Sequence, residues 1–354
     1  MTDKALNKKV EHKFAAAPVL QVKELDVAFN TSRGQAKILE GVNFELFPKE
    51  ILALVGETGS GKSVTAKSIM NLIPGHSRKT EGRVLFDSKD LLTLSAKDLQ
   101  AIRGKRISMV FQNPQSSINP VFTLGEQISR LIRLYLSRDI EVLMQKHQYS
   151  KKKAIEIIAK EKLNEVGLTD IKRMLKLYAG EISGGMAQRY RIALALLASP
   201  EILIADEATS ALDVTVQAHI LKLMKDLCRN KQTAILFITH DLGIAAQICD
   251  RVAVMYAGRI IEIAETKEIF ANPCHPYTKG LLKAVPRLGK NKPLSFVPGM
   301  IPDLVNPPKG CRFHLRCDDA MDICRSQKSG DLKIKNNHNV SCFLYNNENR
   351  QNKQ

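Results

Sequence analysis

The residues best suited to chemistry form a glycine-rich loop that ends in a lysine and a serine. The loop runs from Gly56 to Ser63 as Gly-Glu-Thr-Gly-Ser-Gly-Lys-Ser and follows the apolar run 51–55. Glycines let the backbone curl so that its N–H groups surround phosphate oxygens, which side chains would obstruct. The lysine supplies a point charge for the β- and γ-phosphates, and the serine hydroxyl is placed to bind Mg²⁺. The pattern predicts a nucleoside triphosphate site lined by Gly56, Glu57, Thr58, Gly59, Ser60, Gly61, Lys62, Ser63 and Val64.

Other polar groups that suit phosphate chemistry follow two further apolar runs. Asp206 and Glu207 come directly after one run, and His240 comes shortly after another. Asp206 is suited to hold Mg²⁺, Glu207 to polarise the attacking water, and His240 to reach the γ-phosphate. A histidine on its own is more often structural. Three strand ends that carry chemically matched groups favour a catalytic interpretation.

The elements that must position these groups are short buried strands. The runs 51–55, 202–205 and 234–238 are continuously apolar, as strands buried on both faces of a parallel sheet should be. In such α/β sheets, ligands bind beyond the carboxyl ends of the strands. Residues from about 120 to 200 have helical spacing, and after 271 apolar periodicity fades. The sequence predicts an α/β phosphate-loop NTPase core with a helical subdomain and a small carboxyl-terminal extension.

Composition narrows the class of protein without choosing a partner. The chain has 354 residues, is 44% hydrophobic and carries 53 Lys+Arg against 36 Asp+Glu, a formal charge of +17. These values exclude intrinsic disorder, collagen and low-complexity scaffolds. No apolar run approaches the roughly 18 residues of a membrane-spanning helix, so we expect a soluble intracellular chain. The charge favours an anionic partner, which could be nucleic acid, a phosphate ligand, an acidic protein or a membrane surface.

A second turn suited to anions opens another predicted helix. It reads Ser183-Gly184-Gly185-Met186. One triphosphate needs only one phosphate-binding loop, so this second turn requires a separate explanation. Together with the loop and strands above, this turn makes residues 20–270 resemble the ATP-binding subunits of ABC transporters. In that family the turn is the signature motif, which faces ATP held by a partner subunit.

The resemblance assigns roles to further residues. It implies that Phe29 stacks on adenine, that Gln112 is the Q-loop glutamine and that His240 is the switch histidine. It implies ATP and Mg²⁺ as cofactors, with the metal near Ser63, Gln112 and Asp206. The catalytic set is then Glu207, His240 and Gln112. The D-loop of the family matches Ser210, Ala211, Leu212 and Asp213.

This sequence departs from the family pattern in a few places. Ile182 stands where the signature usually has leucine, Met186 replaces its glutamine, and Ala208 follows Asp-Glu where proline is common. These changes leave the prediction of ATP binding intact. They bear on the contact between the signature and the partner's ATP.

The tail resembles the carboxyl extension of the oligopeptide/dipeptide/nickel importer branch. It contains Asn-Pro-Cys-His-Pro-Tyr-Thr-Lys-Gly at 272–280 and four late cysteines, Cys311, Cys317, Cys324 and Cys342. Their spacing, C-x₅-C-x₆-C-x₁₇-C, lacks the C-x₂-C doublet of zinc ribbons. Four thiolates could hold a [4Fe–4S] cluster or zinc, or remain free. We predict a nucleotide-binding domain over 18–270, with the helical subdomain at about 116–200, and an extension over 271–354.

The resemblance implies an ATPase that couples ATP hydrolysis to the import of short peptides, with nickel or metal chelates as the alternative cargo. Its expected partners are two transmembrane permease subunits, a second ABC ATPase subunit of a different chain, and a substrate-binding protein reached through the permeases. Nucleic acid is not expected, and the location is the cytoplasmic face of the cell membrane. Two other classes stay open: a soluble ABC ATPase acting on nucleic acid or ribosomes, and a non-hydrolysing regulatory subunit.

Overall fold

The chain divides into two compact units. One unit combines Met1–Leu94 with Leu236–Gln354, and the other is Ser95–Ile235. The computed structural model describes residues 16–73, 78–112, 117–209, 212–285, 296–335 and 337–346. The extension after residue 270 therefore shares a compact unit with the glycine-rich loop, and the domain boundary expected at residue 270 stays a prediction.

Strands and helices alternate along much of the described chain. In chain order, the strands are β1 (Leu20–Thr31), β2 (Gly34–Leu46), β3 (Ile51–Val55), β4 (Arg78–Phe86), β5 (Lys89–Asp90), β6 (Ile107–Val110), β7 (Ile202–Asp206), β8 (Ala234–Thr239), β9 (Arg251–Tyr256), β10 (Arg259–Glu265), β11 (Leu332–Lys335) and β12 (His338–Val340). The α-helices are α1 (Lys62–Ile69), α2 (Ala96–Ile102), α3 (Leu124–Tyr135), α4 (Ser137–His147), α5 (Lys151–Glu165), α6 (Ile171–Met174), α7 (Gly184–Leu196), α8 (Val214–Asn230), α9 (Leu242–Ile248), α10 (Thr266–Ala271), α11 (Pro276–Lys283) and α12 (Asp322–Ser326).

The first unit contains two sheets. Strands β2, β1, β4 and β5 form an antiparallel sheet, in that order. Strands β11, β12, β10, β9, β3 and β8 are neighbours, in that order, in a mixed sheet. Strand β3 pairs parallel with β9, with Leu52 opposite Arg251 and Val55 opposite Val254. All five residues of β3 are buried, which explains its uninterrupted apolar sequence. Each buried leucine in such a strand contributes about 2 kcal/mol of apolar burial. The chain leaves β3 as the glycine-rich loop and enters α1.

The extension completes the mixed sheet of the first unit. Strand β12 pairs antiparallel with β10, placing Val340 opposite Glu262. Helix α11 begins at Pro276, whose fixed φ and missing N–H suit the first helical position. The Nδ1 atom of His275 accepts the N–H of Tyr277 at 3.0 Å, so His275 shapes this turn as an N-cap. Fading periodicity after residue 271 thus reflects short elements that are tied to the sheet.

The second unit has the predicted helical segment and one pair of parallel strands. Strands β6 and β7 pair in parallel, from Ile107 opposite Ile202 to Val110 opposite Ala205. Helices α3 to α7 fill the segment between them. Helix α3 begins with a capping box in which the Thr123 hydroxyl and the Glu126 carboxylate accept each other's backbone N–H groups. In the described part of the chain, none of the helices has the length and apolarity needed to cross a membrane.

Candidate nucleotide-binding site

The glycine-rich loop has the backbone geometry of a phosphate cradle. A Cβ atom on Gly56 would lie 2.1 Å from the Met255 carbonyl oxygen, so only glycine fits where the loop leaves β3. Gly61 has φ 108° and is the N-cap of α1, a conformation that side-chain-bearing residues rarely adopt. The N-terminus of α1 therefore faces the loop with its positive dipole end. This geometry suits a polyphosphate.

Lys62 is the cation of this loop, and its side chain is buried. Its Nζ atom donates to the carbonyl oxygens of Gly56 and Glu57 at 2.8 Å each and to the Ser60 hydroxyl at 3.3 Å. An ammonium has three N–H donors. A phosphate bound in the loop would therefore replace at least one of these acceptors and gain a charge-assisted hydrogen bond.

Asp206 and Glu207 end β7 in the second unit. Asp206 is 1% exposed, and Glu207 has φ 48°, in the left-handed region. Gln112 lies two residues beyond the end of β6, the parallel neighbour of β7, and its Nε2 atom donates to Glu207 Oε2 at 2.8 Å. The parallel pairing thus brings two residues of the predicted catalytic set into direct contact.

His240 lies at the carboxyl end of β8 and is exposed. The next residue, Asp241, caps α9 by accepting the N–H groups of Gly243 at 2.7 Å and Ile244 at 3.1 Å. The position of His240 is compatible with a role at a phosphate.

The signature turn opens α7 in the second unit. The Ser183 hydroxyl accepts the N–H of Met186 at 3.3 Å, and Gly184 is exposed with open space around its Cα. The glycine-opened end of α7 is thus accessible to an anion from outside the chain.

The D-loop follows β7 and leads into α8. Asp213 caps α8 by accepting the N–H of Val216 at 2.9 Å, and a Cβ atom on Gly185 would lie 3.9 Å from Leu212. The other two predicted D-loop residues, Ser210 and Ala211, lie outside the described residues.

Phe29, the residue assigned to adenine, lies near the end of β1 in the first unit. It pairs with Ala36 of β2 and is partly exposed, so part of its ring can take a stacking partner.

Two residues of the extension also contact the glycine-rich loop, and sequence reasoning did not assign them to the site. The Tyr277 hydroxyl accepts the Glu57 N–H at 3.0 Å, and Arg316 pairs with the Glu57 carboxylate at 3.0 Å. Tyr277 belongs to the motif that indicated the importer branch. No local pattern of the sequence could have indicated Arg316.

The four late cysteines come together in the extension. Each of the six pairs of thiols is close enough for an electrostatic effect. Burial raises the pKa of Cys311, Cys317 and Cys342, to about 11 for Cys317 and about 12 for Cys342, and neighbouring thiols raise each of them further. Backbone N–H groups two residues on partly offset this rise in the pKa of each of the three thiols. Among the described residues, no three of the four late sulfurs lie within 4.8 Å of one another, so the metal cluster stays a prediction.

A second group of ligand-type side chains, Glu262, Cys274 and His338, is fully buried nearby in the same unit. His338 Nε2 lies 2.9 Å from Glu262 Oε1, and Glu262 also accepts the N–H groups of Cys274 and His275. Hydrogen bonds to Cys274 and Glu262 raise the pKa of His338 to about 9. The contact between His338 and Glu262 gives both buried side chains a polar partner within the protein.

The chain is similar to known proteins over most of its length. A model of the ABC transporter family matches residues 39–210, and a model of the oligopeptide/dipeptide transporter C-terminal region matches residues 261–324. The chain is 47% identical to the dipeptide transport ATP-binding protein DppD of Bacillus subtilis (strain 168), over 92% of this chain and 94% of the relative. It is 44% identical to the oligopeptide transport ATP-binding protein OppD of Escherichia coli (strain K12), over 88% and 89% respectively.

Solved structures support the same assignment. The ATP-binding cassette MJ0796, solved as a dimer in a post-hydrolysis state bound to ADP and Pi, matches with a TM-score of 0.60 and 26% identity. The match covers 70% of this chain and 98% of that chain. The resemblance predicted from the sequence is confirmed, and the chain belongs to the ABC transporter family, in its branch of oligopeptide and dipeptide transport ATP-binding proteins.

Proposed function

We propose that this chain is the ATP-hydrolysing subunit of an importer that takes up short peptides across the cell membrane. The hydrogen bond between Gln112 and Glu207 carries the hydrolytic part of the proposal, because it holds a general-base carboxylate beyond the end of a buried strand. The names of the relatives and the matched C-terminal region support peptides as the cargo.

The chemistry is phosphoryl transfer to water. Lys62 and the loop N–H groups stabilise the negative charge of the β- and γ-phosphates. The family resemblance implies that the Ser63 hydroxyl, Gln112 and Asp206 would hold Mg²⁺, which would supply positive charge to neutralise the phosphates. Glu207 orients or deprotonates the attacking water, and His240 contacts the γ-phosphate. The protein mainly positions groups and stabilises charge, as in other phosphoryl-transfer enzymes.

Hydrolysis needs a second ATPase subunit in this proposal. The open N-terminus of α7 at Gly184 faces the ATP held by that subunit, so two chains close head to tail around two nucleotides. ATP stabilises the closed dimer through contacts made only in that state, and hydrolysis removes them. Through the helical subdomain this closure rocks two permease subunits, to which a substrate-binding protein delivers the peptide. We expect the second ATPase subunit to be a different chain, as the family resemblance implies.

The charge of the chain suits a peripheral position on the cytoplasmic face of the membrane. Residues 271–354 contain 14 Lys+Arg and 6 Asp+Glu, so 14 − 6 gives +8 of the total +17. Basic segments near an anionic leaflet gain roughly 1 kcal/mol per cation. A position near the membrane accounts for this excess of positive charge, whereas nucleotide binding by the phosphate loop requires only one lysine.

Transport in reconstituted vesicles tests the proposal. The assembled complex of this chain, its permeases and its second ATPase is expected to release phosphate faster when a short peptide and the binding protein are present, and to accumulate the labelled peptide. Nickel uptake without peptide uptake would establish the alternative cargo. Salt-sensitive binding of RNA with no transport would establish the nucleic-acid alternative, and an absence of phosphate release would establish a regulatory subunit.

We further propose that Cys311, Cys317, Cys324 and Cys342 hold a [4Fe–4S] cluster. Four thiols of one extension that raise one another's pKa support a thiolate-bound cluster, whose cationic iron would offset the mutual repulsion of the thiolates. Anaerobic purification is expected to give a brown protein with about four iron atoms per chain. A colourless protein with one zinc ion, or with no metal, would contradict the cluster.

A further inference from the structure

Glu57 in the phosphate loop is held by the extension through both its side chain and its backbone. The two terminal nitrogens of Arg316 each donate to one carboxylate oxygen of Glu57 at 3.0 Å. The backbone N–H of Glu57 donates to the Tyr277 hydroxyl at 3.0 Å. A bidentate guanidinium–carboxylate pair fixes the geometry as well as the distance. One residue of the nucleotide cradle is thus fixed from two directions.

Arg316 is itself immobilised in the first unit. Its Nε atom donates to the Pro298 carbonyl at 2.7 Å, and Nη2 donates to the Val297 carbonyl at 2.9 Å. The guanidinium carbon lies 5.6 Å from the centre of the Tyr256 ring, and the side chain is only 5% exposed. Arg316 is thus the buried partner of the pair, whereas the Glu57 side chain is 29% exposed, and removing such a partner costs more than breaking a pair at the surface.

The tyrosine that holds the Glu57 backbone is equally rigid. Tyr277 is fully buried, and its ring centre lies 4.7 Å from that of Tyr256 and 5.4 Å from that of Phe313. Phe313 lies in the turn that leads from Cys311 to Cys317. The aromatic cluster therefore joins the phosphate loop to the cysteine-bearing segment of the extension.

An acidic residue inside a polyphosphate cradle is electrostatically unfavourable unless its charge is compensated, because like charges a few ångströms apart repel. The guanidinium of Arg316 compensates the negative charge of Glu57 and holds its side chain in place. We propose that Arg316 is a positioning residue for nucleotide binding, which fixes and neutralises Glu57 and so links the phosphate loop to the cysteine-bearing segment 311–317. This inference rests on the proposed function and deepens it.

Nucleotide affinity of the full-length chain tests the role of Arg316. Titration calorimetry with ADP and Mg²⁺ is expected to give a Kd about tenfold higher for Arg316→Ala than for the wild type, within the range for a charge-assisted bond. The double variant Glu57→Gln/Arg316→Ala is expected to bind more tightly than Arg316→Ala, because it removes the uncompensated carboxylate. A Kd of the double variant equal to or above that of Arg316→Ala would contradict the neutralising role.

Arg325→Ala is the matched control. Arg325 also adjoins a cysteine, Cys324, but its side chain is 74% exposed and pairs only loosely with Asp322 at 3.9 Å. The control removes the same charge from the same extension and is expected to leave the Kd unchanged. An equal rise in Kd for both arginine variants would mean that general charge, and not the contact with Glu57, sets the affinity.

A merely structural role is distinguished by the nucleotide-free melting temperature. If Arg316→Ala melts earlier but its Kd stays within about twofold of the wild type, the proposal is overturned. If Arg316→Ala does not fold, the nucleotide affinity of Arg316→Lys is measured instead, because lysine keeps the charge but cannot form the bidentate pair. A raised Kd for Arg316→Lys supports the proposal, and an unchanged Kd overturns it. A wild-type chain that binds no nucleotide would instead refute the proposed function.

Discussion

The side-chain amide of Gln112 donates a hydrogen bond of 2.8 Å to the carboxylate of Glu207. The two residues are 95 positions apart and meet because β6 and β7 run in parallel and end at the same edge. The bond orients the carboxylate that we propose as the general base. Because Gln112 holds Glu207, we expect a shift of Gln112 to move the Glu207 carboxylate as well.

The first prediction concerns Glu207. Glu207→Gln keeps the shape of the side chain and its acceptor oxygen for Gln112 but removes the negative charge that accepts a proton. We expect ATP binding to be unchanged and phosphate release by the assembled transporter to fall by about a hundredfold or more.

The control for this variant lies at the other end of the same strand. Glu201, which precedes β7, pairs with Arg106 at the surface and is half exposed. Glu201→Gln makes the same chemical change there, and we expect normal turnover. Phosphate release at the wild-type rate from Glu207→Gln would refute the proposed base.

The motifs that bind nucleotide could be predicted because each depends on local sequence. Strand β3 and the phosphate loop have a continuous apolar run followed by glycines, and the structure has the strand at the predicted residues, followed by the loop and α1. The start of α7 follows from Ser183, whose side chain caps the helix. Local rules of burial and capping are sufficient for such elements.

The contacts between distant segments could not be predicted in this way. Arg316 and Glu57 are 259 positions apart, and Glu262 and His338 are 76 apart. Neither pair has a spacing or periodicity that marks it, because charge complementarity in a folded protein depends on the tertiary packing of whole elements. The extension appeared irregular in sequence for the same reason: its order comes from pairing with β10 and not from long elements of its own.

The second prediction concerns the thiol set. Cys342→Ser replaces a thiolate ligand by a hydroxyl that binds iron poorly, so we expect the anaerobically purified variant to lose most of its iron and its brown colour. Cys228→Ser makes the same exchange in α8, away from the four thiols in sequence, and is expected to keep both. Iron and sulfide analysis measures the result. Equal iron in the two variants would exclude Cys342 as a ligand.

The third prediction is a pH dependence of stability set by His338. Its pKa is raised from the ordinary value of 6.5 to about 9 by hydrogen bonds to Cys274 and to Glu262, while Tyr345 and the neutral His275 lie alongside. A group whose pKa is raised on folding stabilises the protein fully below pH 6.5 and loses that contribution as the pH rises through about 9.

Urea unfolding of wild type and His338→Gln across this range measures the effect. The difference in free energy of unfolding between the two is expected to be largest below pH 6.5 and to shrink steadily towards pH 9. His147→Gln, at an exposed position in the second unit, is the control for the loss of an imidazole outside this buried pair. A difference for His338→Gln that does not change with pH would mean that folding does not shift the pKa of His338.

The fourth prediction separates the fold of the signature turn from its function. Gly184 has open space around its Cα and no left-handed backbone, so this chain does not itself require glycine there. Gly184→Asp adds a negative charge to the first turn of α7, which the helix dipole favours. We expect the isolated chain to be as stable as the wild type and to bind ATP normally.

In the assembled transporter, the new carboxylate would repel the phosphates of the partner's ATP, and phosphate release should fall by roughly a hundredfold. Gly180→Asp, also exposed with open space around its Cα, is expected to change neither property. Full turnover in Gly184→Asp would place the partner's nucleotide elsewhere.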